Sequence, residues 1–321
     1  MNADLAGMVV RECGRRWPRG ATLPPGRMLR PMLVLESAMA VGGDPVRILP
    51  AAVGFECAHV GGLVHEEIID RDAGAANAIV AGNALLFEWF RALSECVDRG
   101  VPPERVTEAM RIQASTGIDS CRGTELELTS TLHSGLDGYL RMARLKTAAP
   151  LSAACRVGAV LSGATPAQTN ALAEFGDGFG LACQIREDLR TYERNAEAVE
   201  RGNRADVRVR RLSLPVLLAY DGAGARDRAR IERLLTTRSG SDRLLELVEI
   251  VRRTDACGTA LRMAEQHAAH ARTVLTALPP SGHRVRLAGM TSRLGATADY
   301  RVHVGEAGQP RSGYAGTTVS R

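Results

Sequence analysis

Two acidic clusters stand out as residues whose types and spacing could do chemistry. The first is His65-Glu66-Glu67-Ile68-Ile69-Asp70-Arg71-Asp72, at the end of a strongly apolar run. Glu66 and Asp70 are four residues apart, so a helix puts them on one face, with Glu67 beside them. Carboxylates gathered at a helix C-terminus meet the negative end of the helix dipole, which disfavours them. A divalent cation offsets that cost, and Mg²⁺ takes carboxylate oxygens together with phosphate and water. The second cluster is Gln184-Ile185-Arg186-Glu187-Asp188. It closes another apolar run, after Phe175-Gly176-Asp177-Gly178-Phe179-Gly180. Glycines so spaced allow a helix or a ligand to come close. Either cluster alone reads more simply as a solvated helix end. Two of them, more than a hundred residues apart, could face each other across a cavity.

A diphosphate between such clusters would need basic groups. Candidates are Arg27 and Arg30 in Gly26–Pro31, Lys146 before Thr147, and Arg211 ahead of Leu212-Ser213-Leu214-Pro215. Each alone reads as a surface charge. Lys146 has one further mark: it is the single lysine, beside forty arginines. In a chain whose composition favours arginine, a retained lysine suits a place that needs a compact ammonium and not a planar guanidinium. Chance survival is the simpler alternative.

The elements that must hold these residues read as helical almost throughout. Residues 1–25 read as a short helix and a proline-rich segment. Apolar-periodic runs follow over 32–41, 48–70, 75–97, 106–132, 136–161, 167–194, 212–220, 225–236, 241–253 and 256–278. The first of these stops at Gly42-Gly43. Alternating strand patterns are nearly absent. The charged stretch 193–209, broken by Gly202, reads as an exposed loop. Residues 305–321, rich in Gly, Ser and Thr, read as a disordered tail. The expected organisation is an N-terminal segment (1–25), one domain (26–304) and that tail.

Composition is ordinary for a globular chain of 321 residues, with 45% hydrophobic and 24% charged. The formal charge of +5 is spread along the chain, which suits an anionic small substrate better than nucleic acid. Seven scattered cysteines without a CxxC pair argue for reduced core thiols in the cytoplasm, not disulfides or a zinc site. No charge-free stretch reaches the roughly 18 residues of a membrane span.

Taken in order, the motifs resemble the trans-isoprenyl diphosphate synthases, from Gly26 to about Pro215. Gly26–Pro31 is similar to GKRxRP, and His65–Asp70 stands where HDDxxD would. Gly123–Leu128 resembles GQxLDL, Lys146-Thr147-Ala148 matches KTA, and Phe175–Asp188 resembles FGxxLGxxFQIxDD. Asp206–Pro215 resembles DLxxGKxTLP, with Arg211 for lysine. The resemblance implies an all-α isoprenoid synthase fold, a bundle of about a dozen helices around a central cavity, usually a homodimer. It implies three Mg²⁺ ions, held here by Glu66, Glu67, Asp70, Glu187 and Asp188. Lys146 and Arg211 would grip the diphosphate and aid its departure, and Gln184 would touch it or bound water. Arg27, Arg30 and His59 match the isopentenyl diphosphate site. Gly61 and Gly62 would leave room for a long prenyl tail, or only allow helix packing.

The sequence departs from the pattern in ways that bear on activity. Glutamate replaces aspartate at Glu66, Glu67 and Glu187, and Thr191 stands where the second motif has its last aspartate. The Arg-Arg-Gly after the first motif is missing, and set against the family pattern about a dozen residues are absent before Ala78–Leu86. Lost co-substrate contacts beside a retained ionising site lead to the expectation of a Mg²⁺-dependent terpene cyclase. It would act on a fifteen- or twenty-carbon prenyl diphosphate, with no nucleic-acid partner and no stable membrane insertion. The alternatives are a divergent trans-prenyl diphosphate synthase and a non-catalytic partner subunit. Aromatic content of 4% is low for a cyclase cavity, though Phe87, Trp89 and Phe90 could line one.

Overall fold

A computed structural model describes residues 3–16, 28–71, 75–193, 212–236, 241–292 and 294. These form α1 (Ala3–Arg16), α2 (Leu29–Ala40), α3 (Pro45–Arg71), α4 (Ala75–Asp98), α5 (Pro103–Thr129) and α6 (Gly135–Ala143). A π-helical turn (Arg144–Ala148) leads into α7 (Ala149–Leu161) and α8 (Pro166–Glu193). Then come α9 (Leu214–Gly222), α10 (Ala225–Thr236), α11 (Ser241–Arg252), α12 (Ala256–Val274) and α13 (Gly282–Ser292). No strand occurs among the described residues, as the helical periodicity predicts. The expected loop, 193–209, lies outside the described residues except for Glu193, which ends α8, and the expected tail, 305–321, lies wholly outside them, as do Arg27 and Arg211.

Local chemistry sets the ends of these helices. Gly42, at φ +85°, closes α2, and the Gly43 amide bonds back to the Ala38 carbonyl at 2.9 Å, a left-handed cap that glycine adopts without strain. Pro103 opens α5, where its missing N–H has no helical partner to lose. The apolar stretch Pro45–Glu66 of α3 has the length and hydropathy of a membrane span, but most of it is buried inside the bundle.

The main core joins α2, α3, α4, α5, α7 and α8 through Leu33, Val53, Phe55, Leu85, Leu93, Leu151 and Phe175, all 2% exposed or less. Two smaller clusters flank it. One gathers α6, α8, α9 and α12 around Met142, Ile185 and Leu214. The other gathers α9, α10 and α11 around Val216, Ile231 and Val251, and also takes in Tyr192 of α8 and Ala256 of α12.

Ion pairs fasten the two ends of the described chain to this core. Arg16 of α1, nearly buried, reaches Glu12 at 2.9 Å, Glu88 of α4 at 2.7 Å and Glu95 of α4 at 2.5 Å. Three carboxylates around one guanidinium satisfy a charge that would be costly alone. Glu36 of α2, fully buried, meets His283 at 2.8 Å and Arg286 at 2.9 Å, both on α13. Helix α13 falls in a region for which the sequence predicts no element. It buries little beyond Leu287, Met290 and Thr291, so its period is faint, and its docking to Glu36 is a tertiary contact that spacing cannot reveal.

Candidate active site

The site lies where α3, α5, the π-turn and α8 meet. Its organising residues are Lys146 and Thr147, consecutive in the π-turn. The Lys146 ammonium donates to Glu127 Oε2 of α5 at 2.6 Å and lies 3.0 Å from Glu66 Oε1 of α3. The Thr147 hydroxyl donates to Gln184 Oε1 of α8 at 2.5 Å. Gln184 Nε2 donates to Asp188 Oδ1 at 2.9 Å. One polar chain therefore joins the first acidic segment to the second through Lys146 and Thr147.

Close packing makes that chain possible. A β-carbon at Gly123 of α5 would lie 2.5 Å from the Lys146 amide nitrogen, and one at Gly180 of α8 would lie 2.5 Å from Ala148 Cα. Both glycines let helix backbones press on the π-turn, α5 at Lys146 and α8 at Ala148. The turn holds an extra residue against the normal helical register. Pinned in this way, it sends Lys146 toward α3 and α5 and Thr147 toward α8.

Asp188 is taken up by the protein. Besides Gln184, its Oδ2 accepts from the Tyr139 hydroxyl of α6 at 2.8 Å and from the Leu214 amide at the start of α9 at 3.0 Å. Burial pushes its carboxyl up to about 6, against the pull of these hydrogen bonds, and nearby Glu127 adds to the rise. With three donors on two oxygens, Asp188 ties α6, α8 and α9 together and has less to offer a metal than the sequence suggests. Glu187 remains half-exposed, paired with Arg190 at 2.6 Å.

On α3, His59, Gly62 and Glu66 fall on one helical face, and nothing lies within 4 Å of a β-carbon built on Gly62. Gly61 points elsewhere: its β-carbon would sit 3.0 Å from the Gly82 carbonyl and 3.2 Å from Leu85 Cβ of α4. It belongs to the α3–α4 contact, the packing role the sequence left open. The helix continues through Glu67 and Asp70, whose side chains lie outside the described residues.

Arg30 sits on α2 near Glu56 and Glu66. Burial lowers its pKa, and Glu56, Cys183 and Glu66 act against that fall. Glu56 is fully buried, with no hydrogen-bond partner on either oxygen among the described residues. Burial raises its pKa, and the charge of Arg30 only partly counters the rise. A raised folded-state value means this stability is full below the unfolded pKa and lost as pH rises through the folded one. Glu56→Gln is therefore expected to gain about 1–3 kcal/mol on the parent between pH 4 and pH 8, read by urea unfolding at both values. A constant difference would show that Glu56 titrates normally.

Among the described residues no three acidic, His or Cys side chains converge on a point that could hold a metal. The donor chemistry nonetheless fits a hard cation. Glu66 is half-exposed beside Lys146 and Glu187 is open at the end of α8, and carboxylate oxygens are what Mg²⁺ takes.

Sequence reasoning missed Glu127 and Tyr139. Glu127 had a signal: a lone lysine in a half-buried site needs carboxylate partners, and Glu127 follows Gly123 by one helical turn. Tyr139 had none, since its partner Asp188 is 49 residues away in sequence.

An all-helical bundle with acidic helix ends joined through a lysine–threonine pair defines the class of isoprenoid synthase folds. The polyprenyl synthetase family model matches residues 19–251, and the chain belongs to that family of prenyltransferase enzymes. It is 31% identical to the short chain isoprenyl diphosphate synthase of Methanothermobacter thermautotrophicus over 278 residues, covering 82% of this chain and 84% of that one. It is also 31% identical to the (2E,6E)-farnesyl diphosphate synthase of Mycobacterium tuberculosis over 264 residues, covering 76% of this chain and 70% of that one. The fold matches a polyprenyl synthase of Caulobacter crescentus, solved with calcium and isoprenyl diphosphate, with a TM-score of 0.81, 23% identity, and 91% and 94% coverage. These relatives are synthases by name. They lend the terpene-cyclase expectation no support and favour the alternative set beside it.

Proposed function

We propose that this protein is a divalent-cation-dependent trans-prenyl diphosphate synthase, which ionises an allylic diphosphate and joins the cation to isopentenyl diphosphate. The observation that carries the reading is the link from Glu66 through Lys146 and Thr147 to Gln184 and Asp188. It brings acidic groups for metal and a cationic group for diphosphate into one place.

In this reading Glu66, Glu67, Asp70 and Glu187 hold Mg²⁺, three ions by the family resemblance, and Asp188 braces the second motif from below. Held by these carboxylates, Mg²⁺ would supply positive charge to offset the negative charge developing on the leaving oxygen. Lys146 and Arg211 grip the same group, and cations fixed there help most as the bond breaks. Thr147 and Gln184 orient one another and so hold the rim on the α8 side. Arg30, Arg27 and His59 take the diphosphate of isopentenyl diphosphate. Arg30 is suited to this because Glu56 and Glu66 sustain its charge in a half-buried position.

The aromatic residues also support synthesis over cyclisation. Phe87 is 75% exposed, and Trp89 is buried against Phe55 at 5.3 Å and Phe90 at 5.7 Å, so Phe87 faces outward and Trp89 is packed in the core at the depth of Phe55, away from the acidic motif. The Phe55–Trp89 pair lies eleven residues, about 16 Å of helix, below Glu66. An isoprene unit extends roughly 5 Å over its four bonds, so a tail running down from the level of Glu66 past Gly62 meets this pair after about three units. A fifteen-carbon product fits, with twenty carbons reached by a tilted path.

One observation favours the cyclase as a second reading. Helix α4 begins at Ala75, four residues after α3 ends at Arg71, with no room for the family's arginine pair. Incubation with Mg²⁺ and geranyl, farnesyl or geranylgeranyl diphosphate, each with and without isopentenyl diphosphate, separates the readings. Longer diphosphates formed only with isopentenyl diphosphate support the synthase. A hydrocarbon or alcohol from one allylic substrate alone establishes the cyclase, and no product from folded protein favours a partner subunit.

A homodimer is part of the same proposal. Val80, Phe87 and Phe90 are exposed along α4, and Ile118 and Leu128 along neighbouring α5. Such a stripe on a folded surface marks a contact with another chain, and a second copy fits the family. Phe87→Glu is expected to convert a dimer to a monomer in light scattering at micromolar concentration. An unchanged mass would remove this face from the interface.

A further inference from the structure

Glu66, the first carboxylate of the first acidic motif, already carries a cationic partner from within the chain. Lys146 lies 3.0 Å from Glu66 and 2.6 Å from Glu127, and these two carboxylates are not equivalent. Glu127 is 10% exposed and makes the shorter contact, whereas Glu66 is 31% exposed at the end of the apolar part of α3. The Lys146 backbone is wedged against Gly123, one turn before Glu127, so the lysine stem stays with α5. Glu127 is its fixed partner, and Glu66 is the one it can release.

Resting on the reading of this site as a metal–diphosphate site, we infer that Lys146 is an internal counter-ion that a divalent cation must displace from Glu66, and that diphosphate gives the displaced ammonium its new partner. A dication arriving alone would share Glu66 with an ammonium held about 3 Å away, and like charges at that range repel strongly. With diphosphate present, Glu66 turns to the metal and Lys146 to the phosphate oxygens while Glu127 holds the stem. Cation and diphosphate then bind as a coupled pair, each raising the affinity of the other by one common factor. A prenyl-free, metal-loaded site is thereby disfavoured.

The test uses full-length protein, Mn²⁺ as the probe cation and inorganic diphosphate, with free Mn²⁺ followed by electron paramagnetic resonance. Wild type is expected to bind Mn²⁺ weakly alone and about tenfold more tightly with diphosphate. Lys146→Ala is expected to bind Mn²⁺ alone about tenfold more tightly than wild type and to lose most of the enhancement. Glu127→Gln, which leaves Lys146 to Glu66, should weaken Mn²⁺ binding. The single lysine supplies a readout in unmutated protein: ¹⁵N-lysine labelling gives one side-chain ammonium signal. It should move when Mg²⁺ and diphosphate are added together, and Glu66→Gln should displace it in the free protein. Unchanged Mn²⁺ affinity in Lys146→Ala, or a lysine signal indifferent to Glu66→Gln, would overturn the counter-ion while leaving the site reading intact. Failure of wild type to bind Mn²⁺ even with diphosphate would overturn the site reading itself.

Discussion

Replacing Lys146 with alanine is expected to lower turnover by about 10²–10³-fold, the scale on which removal of one well-placed charge-stabilising group acts. The loss should fall on kcat more than on KM, because the lysine helps most as negative charge builds on departing diphosphate. Lys146→Arg should recover only part of it. The ammonium is held between Glu66 and Glu127 with its backbone against Gly123, and a planar fork one atom longer does not fit the same place. Arg30→Ala serves as the contrast. In a synthase it raises the KM for isopentenyl diphosphate, whereas in a cyclase it has little effect beside Lys146→Ala. Steady-state kinetics with both substrates varied distinguishes these outcomes. A Lys146→Ala enzyme with turnover near that of the parent would remove the lysine from the chemistry.

Gly123→Ala inverts a common rule. Alanine in place of glycine inside a helix ordinarily stabilises by roughly 0.5–1 kcal/mol. At Gly123 the added β-carbon would lie 2.5 Å from the Lys146 amide nitrogen and 2.8 Å from its Cα. Those are backbone atoms of a pinned turn, so no rotamer change relieves the overlap. The expected result is a loss of about 1–3 kcal/mol, typical of overpacking, with activity falling more than stability because the shift acts on Lys146 directly. Gly62→Ala is the control. With nothing within 4 Å of its β-carbon, it should follow the ordinary rule and stabilise. Thermal or urea unfolding of the pair, with activity alongside, checks the argument; equal behaviour of the two variants would defeat it.

Much of this arrangement is legible in the sequence because the signals are local. Glu66, Lys146, Gln184, Glu187 and Asp188 announce themselves by motif and order, and the helical period predicts most of the bundle. What stays hidden depends on contacts between distant segments. The run 136–161 reads as one helix, but the register changes within it at Arg144–Ala148, and nothing in the apolar spacing marks an inserted residue. Asp188 reads as a metal ligand because carboxylates beside one another suggest that role. Only the approach of Tyr139 and the Leu214 amide shows how far the protein occupies it. Gly61 and Gly62 are adjacent and alike in sequence, yet one faces α4 and the other open space. A helix turns about 100° per residue, so neighbours of one type acquire different roles. Phe87 and Trp89 divide in the same way, one outward and one into the core.

The separate apolar cluster of α9, α10 and α11 has a consequence for slow motion. Cooperative opening follows packing units, and a unit with its own small core opens at lower free energy than the whole. Amides of α10 and α11 should therefore exchange with deuterium through a partial opening that leaves α3, α5, α7 and α8 folded. The Leu214 amide, at the boundary of this unit, ends on Asp188. An opening that extends to the start of α9 would release one donor from the brace beneath the second acidic motif while Lys146 keeps its carboxylates. The two halves of the site would then differ in lifetime, the lysine side persisting until global unfolding and the α8 side renewed with every excursion of the outer helices.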